Sequence, residues 1–269
     1  MPYDNTCKFL AETFPADIAT WLLGKPVTLT KLEAKELSLE PIRADSLILL
    51  QSEQEILHGE FQINPVGEVP FRMADYRLRC YRYYPDKEMR SFVIYLRKTN
   101  SPLVYQDSFC ISGLRYDYEV IRLWEQPTEL FLELPGLLPF ACLSKTDNQE
   151  QVLREVARRT QTLPLNSSTR NIIAASAVLA GLVLKKDFIW QVLGQDIMRE
   201  SVIYQQIEAE ARGEARGEAR GETRGKTQGK EEKAQEIALS LLKTGMKVQQ
   251  VAQVTGVSLG RVLQLQGDK

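Results

Sequence analysis

The sequence predicts an α/β or α+β domain built on a mixed β-sheet and followed by an all-helical region. Three observations carry this. Apolar residues recur at 3- and 4-residue steps over Asp4–Leu23 and again over Val69–Tyr84. Alternating or β-branched runs lie between and beyond them, at Ala44–Gln51, Glu55–Asn64, Ser91–Leu96 and Tyr116–Leu123. From Gln149 to about Gln206 the spacing is helical throughout. Helix, strand, hairpin, helix, strand is the order of a sheet with helices packed on it.

Each element has a local reason. Phe9, Leu10, Phe14, Ile18, Trp21 and Leu22 form the apolar stripe of the first helix, with Asp4 as its N-cap and Gly24 and Pro26 ending it. Ser52-Glu53-Gln54 is a short polar break between two strand-like runs, which suggests a hairpin. Asn64-Pro65-Val66-Gly67 ends that hairpin. Met73, Tyr76, Cys80 and Tyr84 share one side of the next helix, and Pro85 closes it. Segments Gln149–Arg159, Asn171–Leu184 and Phe188–Ile207 read as helices that either cover the sheet or form a small bundle. Residues 210–229 repeat Glu-Ala-Arg-Gly with variations. Each glycine costs a helix roughly 1 kcal/mol against alanine, so this stretch reads as a solvated linker. Glu231–Leu242 resumes a helix. Val248–Leu265 carries a helix-turn-helix pattern, with Gly256 at the turn and Ser258 capping the second helix. The expected division is 1–145, 146–208, 209–233 and 234–269.

Composition narrows the function. The chain has 269 residues, with 34 basic against 35 acidic side chains and a net charge of −1. It lacks the basic excess of a nucleic-acid coat, so any such contact must come from local patches. Four scattered cysteines and one histidine argue against a structural zinc site and fit a reducing compartment. The N-terminus has no basic-then-apolar leader. The longest apolar run, Ile172–Leu184, falls short of the roughly 20 residues that span a bilayer. The expectation is a soluble cytoplasmic protein with no membrane partner.

The hairpin holds the candidate chemistry. Strand alternation puts His58, Glu60 and Gln62 on one face, and Leu57, Phe61 and Ile63 on the other. With Ser52-Glu53 as a two-residue loop, Asp45 stands directly opposite Glu60 on the same face. Two carboxylates that close repel unless a cation joins them. Hard oxygen ligands suit Mg²⁺ or Mn²⁺, and such an ion assists phosphodiester hydrolysis. Arg72, at the start of the next helix, is either a phosphate contact or a surface ion pair. Tyr76 reads as core, Lys8 as a solvated helix residue and His58 as structural.

Asp45 followed by Gly59-Glu60-Phe61-Gln62 resembles the D…ExK/Q signature of the PD-(D/E)xK nuclease superfamily. Asp4-Asn5-Thr6-Cys7-Lys8-Phe9, Arg43-Ala44-Asp45, Ile56 to Gln62, Phe71-Arg72-Met73 and Tyr76 are together similar to the Rpn-type recombination-promoting nuclease/transposase family. The resemblance covers roughly residues 1–140. It implies a restriction-endonuclease-like fold, a divalent metal and DNA as substrate. Asp45 and Glu60 would be metal ligands, with a backbone carbonyl near Phe61 completing the shell. Gln62 stands where the superfamily's commonest form has lysine. Lysine supplies a positive charge, whereas glutamine can only hydrogen-bond and orient. A link to recombination and a homodimer follow by analogy alone. Two other classes remain open. One is an inactive nuclease-fold interaction protein. The other is a DNA-binding regulator acting through the C-terminal helices, whose second helix offers Ser258, Arg261, Gln264 and Gln266 but one positive charge.

Overall fold

A computed structural model describes residues 2–31, 47–194 and 229–267. The chain divides into two compact units, Met1–Ile207 and Glu208–Lys269.

The first unit opens with α1 (Pro2–Thr13) and α2 (Pro15–Leu23), where the sequence spacing predicts one helix. Pro15 is the reason. It lacks an N–H and cannot continue a helix, but it fits the first turn of a new one. Asp4 accordingly sits in the first turn of α1 and not at its N-cap. Gly24 closes α2 in the left-handed region at φ 68°, its N–H donating to the Thr20 carbonyl.

Five strands form the main sheet in the order β1 (Thr30–Lys31), β2 (Leu47–Gln51), β3 (Glu55–Gln62), β4 (Glu88–Tyr95) and β7 (Glu119–Arg122). β1, β2 and β3 run antiparallel; β4 and β7 lie parallel to β3. The crossover from β3 to β4 is α3 (Val69–Tyr83). Such a crossover is what parallel neighbours require. A second, two-stranded sheet pairs β5 (Ser108–Ile111) with β6 (Leu114–Asp117) about Gly113, which turns at φ 80°. The expected strand Tyr116–Leu123 is thus split at Tyr118 between two sheets. Tyr118 is buried and donates its N–H to the Asp107 carbonyl, which turns the chain from one sheet to the other.

The β2–β3 hairpin forms, with a different register. Leu47, not Asp45, stands opposite Glu60, and Gln51 opposite Ile56. The turn lies further along because Ser52 organises it. The Ser52 N–H donates to the Glu55 carbonyl at 2.9 Å, and its Oγ accepts from the N–H groups of Glu55 and Gln54 at 3.0 and 3.3 Å. A two-residue shift leaves every side chain on its predicted face, because the strand period is two. Asp45 lies outside the described residues.

One sheet face carries Ile48, Leu50, Leu57, Phe61, Phe92 and Ile94 into the main core. That core is completed by α1, α2, a 3₁₀ segment at Pro135–Leu143, α5 (Gln149–Gln161), α6 (Ser167–Ala180) and α7 (Lys186–Leu193). The helices therefore cover the sheet and form no separate bundle. α4 (Thr128–Leu132) adds Phe131. α6 starts before its expected Asn171 because Asn166 caps it, its side chain accepting from the Thr169 N–H. α7 ends at Gly194, and the remainder of its expected span lies outside the described residues. The segment Pro135–Leu143 escaped sequence reading. Its residues from Gly136 to Leu143 are all buried, yet two prolines mask any helical period. The opposite sheet face is covered by α3, whose Val69, Met73, Tyr76 and Cys80 meet Leu49, Ile56, Val93 and Tyr95.

The second unit has a helix over residues 229–243, here α8, then α9 (Val248–Thr255) and α10 (Leu259–Gly267). Helix begins by residue 229, so the last part of the expected linker 209–233 is helical; residues 195–228 lie outside the described residues. Ala238, Val251 and Val262 form the buried centre, one from each helix. Gly245 and Gly256 take the two turns at φ 87° and 70°. The Ser258 carbonyl accepts the N–H groups of Arg261 and Val262, each at 3.0 Å, which fixes the start of α10.

Candidate active site

β3 alternation sends His58, Glu60 and Gln62 toward α3, away from the core that takes Leu57 and Phe61. Asn64-Pro65-Val66-Gly67 then reverses the chain, and Pro70 stands in the first turn of α3. This return places Arg72 over the end of β3.

Three of the four predicted site residues meet here. Glu60 is 1% exposed and forms an ion pair with Arg72, whose side chain is 32% exposed. Gln62 donates through Nε2 to the same Glu60 oxygen, Oε1, at 2.7 Å. The other oxygen, Oε2, is buried with no hydrogen-bond partner among the described residues, and so is Arg72 Nε. Arg72 thus faces a buried carboxylate, which neither a surface ion pair nor a free phosphate contact describes. Asp45, the fourth residue, lies outside the described residues.

Burial raises the Glu60 carboxyl above its ordinary range; hydrogen bonding and charge from Arg72, then the Gln62 amide, pull it partly back. Its negative charge reaches the surrounding tyrosines. Tyr76 is pushed up to about 12 by burial and then by Glu60, and Tyr95 is raised by the same two causes.

Below Glu60 on the same face lies a second polar group. His58 Nδ1 is 3.1 Å from Ser91 Oγ, and Tyr116 donates its hydroxyl to that Oγ at 2.6 Å. The imidazole packs edge-on against Tyr76, with ring centroids 5.2 Å apart. Burial lowers His58 to about 3, so it is neutral. Its Nε2 has no partner among the described residues. Sequence reasoning placed His58 on this face and Tyr76 in the core, but missed Ser91 and Tyr116. Ser91 stands beside His58 through the parallel β3–β4 register, and a parallel register is invisible without the crossover.

The donor set can be tested against a divalent cation. An orphaned, buried carboxylate oxygen is a hard ligand that lacks its partner, so Glu60 Oε2 fits one coordination position. Among the described residues no three His, Cys, Asp or Glu side chains gather where one ion could sit. Chemically, Glu60 can take a cation or a proton on Oε2 while Arg72 and Gln62 hold Oε1. Beyond the carboxyl end of β4, a cavity of about 570 Å³ is lined by Leu96, Lys98, Trp124 and Lys145 among others, and Glu60 is not among them.

No protein-family model, curated protein or solved structure matches this chain. Among the described residues, no helix is long and apolar enough to cross a membrane. Among the described residues the fold is mixed α/β, with a five-stranded mixed sheet and a two-stranded one.

Proposed function

We propose that the chain is a metal-dependent DNA endonuclease of the Rpn type, with the restriction-endonuclease-like fold that the sequence resemblance implies. The observation that carries this is the arrangement at the end of β3. Glu60 and Gln62 share one face of a strand in a mixed sheet, and the Glu60 carboxylate keeps one buried oxygen without a partner among the described residues. Burying a carboxylate without full pairing is costly, and groups held at such a cost cluster at functional sites.

In this reading Asp45 and Glu60 hold Mg²⁺ or Mn²⁺. When bound, the ion polarises the phosphodiester and acidifies a water molecule. The chain's own residues do the rest. Arg72 and Gln62 fix Oε1 and so orient the carboxylate. The Arg72 side chain is a third open to solvent while it holds Glu60, and in this reading it also reaches a phosphate oxygen. Gln62 orients by hydrogen bonding and supplies no charge.

A second reading, a nuclease fold that no longer cleaves, is favoured by the Arg72 ion pair, which already neutralises Glu60. One experiment separates the two. The purified chain is incubated with supercoiled plasmid and Mg²⁺ or Mn²⁺, beside an EDTA control, Asp45→Ala and Glu60→Ala. Nicking that disappears in all three controls supports the nuclease. A folded protein that cleaves with neither ion sinks it in favour of the second reading. Cleavage surviving Asp45→Ala removes Asp45 from the site.

A further inference from the structure

The buried side-chain polar atoms that lack a hydrogen-bond partner among the described residues all come from two facing elements. They are His58 Nε2 and Glu60 Oε2 of β3, and Arg72 Nε and Arg77 Nη1 of α3, the helix that covers this face of the strand. His58 is 0% exposed and Glu60 1%. Buried polar groups are nearly always satisfied, by protein or by ordered water. Hydrogen-bond accounting fixes where the His58 proton sits. Tyr116 donates its hydroxyl to Ser91 Oγ at 2.6 Å, and that oxygen lies 3.1 Å from His58 Nδ1. Ser91 is buried, and Nδ1 is the one acceptor among the described residues within reach of its own hydroxyl proton. Were Nδ1 the donor instead, Ser91 Oγ would accept twice and its proton would have nowhere to go. Ser91 therefore donates to Nδ1, and the neutral imidazole carries its proton on Nε2.

We infer that one buried water molecule joins His58 to Glu60, accepting from Nε2 of the imidazole and donating to Oε2 of the carboxylate. The two residues are alternate positions on one face of β3, so their backbones stand about 6.7 Å apart along the strand. A water with two hydrogen bonds of about 2.8 Å each closes a gap of that order. The chemistry of the two ends selects the occupant. Nε2 offers a proton and Oε2 needs one, so the group between them must both accept and donate. An anion would face the Glu60 carboxylate. A polar, enclosed position with partners of both kinds is where proteins hold internal water. The Tyr76 ring, edge-on to the imidazole at 5.2 Å, shields this side from solvent. Tyr116, Ser91, His58 and the water then form one directed chain that ends on Glu60. Arg72 and Gln62 hold Oε1 of that carboxylate, and the chain holds Oε2. His58 is in this way a positioning residue for Glu60. The inference concerns the chain without an added ion and does not rest on the nuclease reading.

The test uses the full chain in EDTA. His58 is the only histidine, so isotopically labelled histidine gives a single set of ring NMR signals. Long-range proton–nitrogen correlation reads which ring nitrogen carries the proton. The expected result is a protonated Nε2 whose proton resists exchange with bulk water and cross-relaxes with a bound water. Ser91→Ala, checked for folding by circular dichroism, should shift the Nδ1 signal because the donor to that nitrogen is gone. A crystal structure of the wild-type chain grown in EDTA should place a water in contact with both His58 Nε2 and Glu60 Oε2, and His58→Phe should lose it. A proton on Nδ1, an Nδ1 signal indifferent to Ser91→Ala, or a protein side chain standing where the water is expected overturns the inference. Plasmid cleavage, present or absent, leaves all of these readouts unchanged, so the inference and the nuclease reading fail separately.

Discussion

Arg72→Met removes the cation beside a carboxylate that is 1% exposed. Removing one partner of a buried pair costs about 3–5 kcal/mol. A third of the Arg72 side chain is open to water, which can partly replace it, so the expected loss is about 2–4 kcal/mol. In a unit spanning Met1–Ile207 that lowers Tm by roughly 4–16 °C. The pH dependence is the sharper test. Glu60 is raised in the fold by burial, against the pull of Arg72 and Gln62. Its protonated form is therefore favoured by folding, and the stability it contributes at acid pH is lost as pH rises through its folded pKa. Without Arg72 the carboxyl rises further. The gap between variant and wild type should be small at the acid end and widen as pH climbs through the wild-type Glu60 pKa. Urea denaturation followed by circular dichroism, from below the ordinary carboxyl value of about 4.3 up to pH 8.5, measures it. Glu60→Gln added to Arg72→Met should close most of the gap at pH 8.5. A deficit that is the same at both ends, or that persists in the double variant, would refute the electrostatic account of this pair.

His58 is the sole histidine of the chain, and it titrates at about 3 because of burial. Its imidazole NMR signals should stay at neutral-form shifts from pH 8 down to pH 5. A folded pKa below the unfolded value of about 6.5 also means a stability contribution that is lost as pH falls below that value. A histidine titrating near 6.5 in the native protein would contradict the burial. Gly136→Ala places a Cβ 2.5 Å from Phe14 Cβ and 2.7 Å from Asp17 Oδ2, the oxygen that accepts the Gly136 N–H. Overpacking costs about 1–3 kcal/mol, so urea denaturation should show a loss of that size or more; an unchanged midpoint would mean that the segment Pro135–Leu143 is not held against α2.

The sequence by itself determined the mixed α/β class, most element positions and the faces of β3. Strand alternation is a local property, so Glu60, Gln62 and His58 share a face whatever the register. The apolar spacing of α3 likewise put Met73, Tyr76 and Cys80 inward, because helical period and burial are coupled along one element. Tertiary structure decided the rest. Ser52 set the hairpin turn through its own hydrogen bonds and brought Leu47 opposite Glu60. The crossover through α3 decided that Arg72 closes on Glu60 and that Ser91 lies beside His58, pairings between residues far apart in sequence. Pro135–Leu143 became core because the surrounding helices leave a slot for it, not because its own pattern asks for one. Local periodicity fixes which way a side chain points. Only the packed chain decides what it meets there, and that meeting turned Glu60 from a plausible ligand into a buried carboxylate with one oxygen held and the other unpartnered among the described residues.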